Sequence, residues 1–132
     1  MFHDVFGHVP LLSHPTFCQF FEGFAKIGMQ YLDEPELLDI LGRIYWFTVE
    51  FGLIKEADKL KIYGAGIMSS YGESQFSLSD APTHKPFHVA EILSTDYDNS
   101  RIQDLYFVID SYEQLFESLG SIERAMERLT GR

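Results

Sequence analysis

The sequence predicts a mostly helical domain with a small β component. A length of 132 residues fits one domain with a core of moderate size. Apolar side chains recur at helical spacing in the longest periodic segments. Strand character is limited to one hairpin and one further short run. We therefore expect residues 1–132 to form a single domain in which helices predominate.

Two long helices are expected in the first part of the chain. The first spans about residues 15–31, because Pro15 suits a first helical turn and apolar side chains line one face. That face comprises Phe17, Phe20, Phe21, Phe24, Ile27 and Gly28. The second helix opens at Asp33-Glu34-Pro35 and continues to Gly52.

The remaining elements are expected to be shorter. In chain order, they are a hairpin with strands at 53–55 and 60–63, a helix at about 69–78, a loop at 82–86, a helix at about 87–93 and a buried strand at 105–110. In the last helix, Leu115, Leu119, Ile122, Met126 and Leu129 recur at steps of three and four, and Gly131 ends it. Docking of this helix on its own domain is the expected role.

Composition and charge exclude several classes of partner. The formal net charge is −10, which disfavours nucleic acid and anionic membrane surfaces. The chain has neither an apolar run of membrane-spanning length nor the pattern of a signal peptide, so a cytoplasmic location is expected. The single cysteine, Cys18, is predicted to be a small buried group. His14 is expected to cap a helix or lie at the surface, and His84 and His88 are expected to be structural or to lie at the surface.

The first eight residues suggest a metal site. His3 and His8 are five residues apart, which on a continuous helix would leave their rings roughly 140° apart. A helix that breaks at Gly7, before Pro10, would let both rings face one ion. Glu50, the only charge in the apolar stretch 44–52, offers a third ligand. Two imidazoles and one carboxylate with open positions suit non-haem Fe(II). A solvated Glu50, or one paired with Arg43 or Lys55, is the alternative.

Three motifs in this order resemble the pterin-dependent aromatic amino acid hydroxylases. The motifs are HDVFGHVP at 3–10, IYWFTVEFGL at 44–53 and YGAGIMSSYGE at 63–73, and they are most similar to the bacterial-type phenylalanine 4-monooxygenases. The resemblance covers nearly all of this chain but only the C-terminal part of the family's catalytic domain. It implies the fold of a helical fragment of that domain.

The resemblance also implies a function and a set of site residues. Fe(II), with tetrahydrobiopterin or a related reduced pterin, would use dioxygen to hydroxylate the ring of phenylalanine to tyrosine, a step of phenylalanine catabolism. The implied ligands of the iron are His3, His8 and Glu50. The pterin would lie near Asp4 and Tyr45, and the substrate would contact Trp46, Gly66, Ser69 and Tyr97. Tyr45 and Glu73 would serve catalysis.

One part of the family's site is absent from these residues. The family's arginine for the substrate carboxylate, and much of its pterin-stacking wall, precede the first ligand histidine. We therefore expect this chain to bind metal as a truncated piece that does not complete a turnover site. Apolar surface exposed in such a piece would favour self-association.

Two other classes of function use the same residues. A zinc hydrolase would activate a water at the His3, His8 and Glu50 site, with Asp4 as the available general base. A non-catalytic module would oligomerise through the last helix or the Phe-rich face. Identification of the metal tests the first alternative, and the molecular size of variants that lack the ligands tests the second.

Overall fold

A computed structural model describes residues 13–68, 71–97 and 103–130. The predictions made for His3, Asp4, His8, Ser69 and Gly131 lie outside the described residues. Within these ranges, helices predominate over one four-stranded sheet, so the predicted fold class is confirmed.

The first described helix, α1, spans Pro15–Met29. The His14 imidazole caps it by accepting a hydrogen bond from the Phe17 N–H at 3.4 Å. Phe17, Phe20 and Ile27 are buried on the predicted apolar face. The helix and the capping role of His14 are thus confirmed, whereas Cys18 is half-buried and not fully buried as predicted.

The second helix ends in a wider turn than the sequence predicted. Helix α2 spans Pro35–Tyr45, and a π-helical turn, Trp46–Glu50, continues it. The Phe51 N–H donates to the Trp46 carbonyl at 2.9 Å, five residues back, which is the hydrogen bond that defines a π-helix. The predicted helix is confirmed as far as Glu50, but residues 46–50 are π-helical, and Phe51 and Gly52 lie beyond its end.

The sheet has the strand order β2-β1-β4-β3, where the strands are β1 Leu53–Glu56, β2 Lys59–Ile62, β3 Thr83–Pro86 and β4 Leu105–Ile109. β1 and β2 pair antiparallel, and β4 pairs parallel with both β1 and β3. The turn of the hairpin places Ala57 at φ 51° and Asp58 at φ 63°, as a type I′ turn requires. The predicted hairpin and the predicted strand at 105–110 are confirmed. The loop predicted at 82–86 is wrong, because pairing with β4 makes it an edge strand.

Five further helices are described. They are α3 Ala65–Met68, α4 Tyr71–Leu78, α5 Val89–Leu93, α6 Tyr112–Glu117 and α7 Leu119–Thr130. His88 caps α5 by accepting from the Glu91 N–H at 3.2 Å. The final periodic segment is divided at Ser118 and is not the single helix that the sequence predicted. Ile122 and Met126 are fully buried, so α7 docks on its own domain as expected.

The sheet separates two apolar clusters. Ile54, Phe107 and Ile109 join the main cluster with the helices α1, α2 and α7. Leu53 and Tyr106 belong to a smaller cluster that includes residues of α3 and α4. Within the described residues, no helix is both long enough and apolar enough to cross a membrane.

The chain that leaves the hairpin returns closely to the π-helical turn. Gly64 donates from its N–H to the Gly52 carbonyl at 3.0 Å. A Cβ at Gly64 would lie 2.5 Å from the Glu50 carbonyl oxygen. Glycine is therefore required here, because it lets the backbone after β2 contact the end of the turn.

Glu73 is a buried carboxylate in α4. It is 7% exposed and accepts a hydrogen bond from the Tyr106 hydroxyl at 2.9 Å. Burial raises the pKa of the Glu73 carboxyl, and the Tyr106 hydrogen bond opposes that rise. The pair joins α4 to the central strand β4.

Tyr106→Phe should lower the free energy of unfolding at about pH 8 by roughly 1.5–3 kcal/mol, because ionised Glu73 then loses the hydrogen bond from Tyr106. The folded-state pKa of Glu73 is raised, so its contribution to stability is present at low pH and is lost as pH rises through that pKa. The cost of Tyr106→Phe should therefore shrink at about pH 4, where Glu73 is protonated. Urea unfolding at the two pH values measures this difference.

Glu73→Gln is the matched control for the effect of pH, since an amide retains an acceptor for Tyr106 and does not titrate. In that background, Tyr106→Phe should cost the same at both pH values. A cost that still varied with pH would show that another group causes the dependence.

Gly64→Ala should lower the free energy of unfolding by about 1–3 kcal/mol, because its methyl group would overlap the Glu50 carbonyl. Gly42→Ala is the matched control, since Gly42 lies inside α2 with no atom within 4 Å of an added Cβ. It should raise stability by about 0.5–1 kcal/mol. Denaturant unfolding of both variants tests the prediction; equal effects would contradict it.

Candidate iron and substrate site

Glu50 is the last residue of the π-helical turn, and its side chain is half-buried. The preceding Val49 is buried, and the following Phe51 is half-buried. The Tyr45 hydroxyl donates a hydrogen bond to Glu50 Oε1 at 3.3 Å, a long contact. Residues five apart are neighbours in a π-helix but not in an α-helix. The widened turn therefore brings Tyr45 and Glu50 together.

A neutral hydroxyl does not cancel the charge of a carboxylate. An ionised carboxylate has about four acceptor positions, so the Tyr45 bond is compatible with a metal ion at Glu50. Arg43, one of the two cations considered as partners for Glu50, binds Asp96 Oδ1 at 2.8 Å and the Leu93 carbonyl. The role of Glu50 as a metal ligand stays a prediction.

Glu50 is the one predicted iron ligand that the structure describes. His3, His8 and the neighbouring Asp4 lie outside the described residues. Within ranges 13–68, 71–97 and 103–130, no three His, Cys, Asp or Glu side chains are grouped so as to hold a metal ion. The ligand set of two histidines and Glu50 stays a prediction.

Trp46 begins the same turn and lies in an aromatic stack. Its ring is 4.4 Å from that of Tyr97, with 16° between the planes, and 4.3 Å from that of Phe51. The indole N–H donates to Gln103 Oε1 at 2.7 Å. The structure thus brings together two residues predicted for the substrate, Trp46 and Tyr97, and adds Phe51 and Gln103.

Gly66, also predicted for the substrate, lies beside the turn. A Cβ there would be 2.9 Å from both the Glu50 carbonyl oxygen and Phe51 Cζ. The segment that carries Gly66 therefore contacts Glu50 directly. Ser69, which follows on the same segment, is outside the described residues.

Glu73 contacts a different part of the molecule from Tyr45. Its hydrogen bond comes from Tyr106, which belongs to the smaller cluster on the sheet. Burial, the larger effect on its pKa, favours the protonated carboxyl. This geometry suits a structural acid, and the catalytic role predicted for Glu73 stays a prediction.

Sequence reasoning missed the π-helical turn, Phe51, Gln103 and Tyr106. The spacing of Tyr45 and Glu50 was an available signal, since side chains five residues apart can contact each other only in a widened turn. Gln103 and Tyr106 gave no local signal, because their partners are 57 and 33 residues away in the chain.

Comparison with protein families and known sequences is consistent with this geometry. The model of the family described as biopterin-dependent aromatic amino acid hydroxylase matches residues 1–130. A phenylalanine-4-hydroxylase of Ralstonia nicotianae is 48% identical over 89% of this chain and 37% of its own length. That of Chromobacterium violaceum is 45% identical over 89% of this chain and 40% of its own length. The rat enzyme is 41% identical over 96% of this chain and 27% of its own length.

Solved structures of phenylalanine hydroxylases are similar in fold to this chain. The phenylalanine hydroxylase of Legionella pneumophila superposes with a TM-score of 0.84 at 35% identity, over 97% of this chain and 52% of that one. An iron- and phenylalanine-bound structure from Chromobacterium violaceum gives 0.85 at 42% identity, over 95% of this chain and 48% of that one. The chain thus spans about half of these structures and less than half of the curated relatives' length. It belongs to the family of biopterin-dependent aromatic amino acid hydroxylases.

Proposed function

We propose that this chain provides the Fe(II) ligands and part of the substrate pocket of a pterin-dependent phenylalanine hydroxylase. The observation that carries the proposal is Glu50, a half-buried carboxylate held at a π-helical turn by a neutral hydroxyl. Local π-helical turns are frequent at functional sites. The names of the relatives, phenylalanine-4-hydroxylase, support phenylalanine as the substrate.

The residues fit a ferrous ion. Glu50 would supply one oxygen ligand, and His3 and His8 would supply two imidazole nitrogens. Such a set leaves positions open and matches the preference of non-haem Fe(II) for two histidines and one carboxylate. Thiolate ligation is disfavoured, because Cys18 is the only cysteine and lies on α1.

The other predicted contacts complete the proposal. Asp4 and Tyr45 would lie beside the reduced pterin. Trp46 and Tyr97 would form an aromatic wall for the ring of phenylalanine, and Gly66 and Ser69 would contact its amino acid end. The stack of Trp46 on Tyr97 supports the wall, since offset aromatic contacts of this geometry are favourable. Glu73 would support the site from α4.

When bound, the ion and the pterin would activate dioxygen and supply the electrons for hydroxylation, so that phenylalanine becomes tyrosine. The protein's own residues would bind and orient these groups. Tyr45 would hold Glu50 in a fixed rotamer by its hydroxyl. The rings of Trp46 and Phe51 would exclude water from the site and orient the substrate ring.

The relatives are more than twice as long as the part that this chain matches, so ring hydroxylation is proposed for the whole protein and the ligand set for this chain. A cytoplasmic location and a role in phenylalanine catabolism belong to the same proposal. Self-association stays a prediction; Met29 and Leu32, each 67% exposed, are apolar side chains that would take part in it.

Glu50→Ala should abolish tight binding of Fe(II), since two imidazoles alone do not complete the ligand set. Anaerobic titration of the chain with Fe(II) measures the affinity, and a hydroxylation assay with phenylalanine, reduced pterin and oxygen measures turnover. We expect one equivalent of Fe(II) in the unsubstituted chain. His3→Ala and His8→Ala should lose it as well.

Glu123→Ala is the control for loss of one negative charge, because Glu123 is exposed on α7. It should bind Fe(II) like the unsubstituted chain. If the chain binds no stoichiometric Fe(II), or if Glu50→Ala binds it unchanged, Glu50 is not a ligand and the proposed iron site is wrong.

Tyr45→Phe should weaken Fe(II) binding by about 10-fold to 100-fold, because hydrogen bonds that orient a ligand contribute this much to metal affinity. The phenyl ring keeps the packing of Tyr45 against Phe21, so folding should be retained. Tyr71→Phe is the matched control, since Tyr71 is 80% exposed on α4. Unchanged affinity in Tyr45→Phe would show that the hydroxyl does not orient Glu50.

A further inference from the structure

Trp46 is the only tryptophan of the chain and is fixed in three ways. Tyr97 stacks on its indole ring, and the ring of Phe51 contacts the indole with 39° between the two planes. The ring N–H, its only hydrogen-bond donor, binds the side-chain amide of Gln103. Contacts with the rings of Tyr97 and Phe51 alone would allow the indole to rotate within its own plane. The hydrogen bond to Gln103 fixes this rotation.

The Gln103 amide is itself held at both ends. Its Oε1 accepts from Trp46 Nε1 at 2.7 Å, and its Nε2 donates to the Leu105 carbonyl at 2.7 Å. An indole N–H only donates and a backbone carbonyl only accepts, so the amide satisfies both partners in one orientation. Leu105 is the first residue of β4. Gln103 therefore links the indole of Trp46 to the first residue of β4.

We propose that Gln103 is a positioning residue for the aromatic substrate wall. By fixing the rotation of the indole within its plane, Gln103 sets which edge of Trp46 faces the ring of the bound amino acid, and so the size of ring that the site accepts. This inference rests on the proposed function, in which Trp46 contacts the substrate.

The local setting argues for positioning in preference to general stabilisation. Gln103, Trp46 and Phe51 are only half-buried, and Tyr97 is 39% exposed. The fully buried residues of β4, which are Tyr106, Phe107 and Ile109, follow Leu105 along the strand. Loss of the Gln103 bond should thus free the indole without opening the core.

Two substitutions separate the two hydrogen bonds of Gln103. Gln103→Met has nearly the same length and removes both bonds. Gln103→Glu keeps an acceptor for the indole N–H and loses the donor to the Leu105 carbonyl. Gln75→Met is the matched control, because Gln75 is an exposed glutamine on α4 that binds the Tyr71 hydroxyl.

The first readout is the fluorescence of Trp46 in the protein without ligands. The emission wavelength of an indole changes with its hydrogen bonding and its contact with water, and its intensity changes when it leaves the stack on Tyr97. Gln103→Met should show both changes, Gln103→Glu should show smaller ones because it retains the acceptor for the indole N–H, and Gln75→Met should match the unsubstituted protein. Unchanged emission in Gln103→Met would overturn the proposal, since Gln103 would then not fix the ring.

The second readout is the kinetics of the full protein with iron, reduced pterin and an aromatic amino acid. In Gln103→Met, KM for phenylalanine should rise roughly threefold to tenfold, the loss expected for one hydrogen bond. Relative activity with tryptophan, a larger ring, should rise, while kcat for phenylalanine changes less than KM. Gln103→Glu should show a smaller rise in KM than Gln103→Met, because it retains the acceptor for the indole N–H and loses only the bond to Leu105.

The outcomes distinguish this inference from the proposed function. If the unsubstituted protein neither binds nor hydroxylates an aromatic amino acid, the proposed function fails and the positioning role fails with it. If that protein is active but Gln103→Met keeps its KM and its selectivity, the positioning role alone is overturned. Equal kinetic losses in Gln103→Met and Gln103→Glu would assign the effect to the Leu105 bond and would also overturn it.

Discussion

The π-helical turn at the end of α2 is the constraint on which the candidate site depends. Its i to i+5 hydrogen bond, from the Phe51 N–H to the Trp46 carbonyl, adds one residue to the turn. That extra residue places Glu50 near the Tyr45 hydroxyl, and Trp46 near Phe51. A regular α-helix through the same sequence would direct Tyr45 and Glu50 to different faces. The geometry of the carboxylate and of the aromatic wall thus has one local cause.

The rest of the fold stabilises this turn. Phe47 and Val49 anchor it in the main apolar cluster, and the Thr48 hydroxyl donates to the Ile44 carbonyl at 2.6 Å. On its other side, Gly64 lets the chain after the hairpin contact the Glu50 carbonyl. Any side chain at position 64 would displace the backbone that carries Glu50. The position of the carboxylate is therefore determined by packing on both sides of the turn.

Local patterns predicted the elements that local interactions form. The spacing of Phe17, Phe20 and Ile27 predicted α1, because a helix buries every third or fourth residue whatever it packs against. Strand β3 has no such pattern; it exists through parallel pairing with β4, 22 residues later at Thr83 and Leu105. Glu50 was identifiable as a charge among apolar neighbours. The hydrogen bonds of Trp46 to Gln103 and of Glu73 to Tyr106 were not, since folding alone brings those residues together.

Glu50 and Glu73 show how environment separates the roles of two carboxylates. Both accept a hydrogen bond from a tyrosine hydroxyl, at 3.3 Å and 2.9 Å respectively. Glu73 is buried, and burial raises the pKa of its carboxyl, an effect that the Tyr106 hydrogen bond opposes. A metal ion binds the ionised carboxylate, so the burial of Glu73 works against a metal at that position. Glu50 is half-buried at the end of a widened turn. Burial therefore separates the two carboxylates: it disfavours Glu73 as a ligand, and Glu50 stays the carboxylate predicted to bind iron.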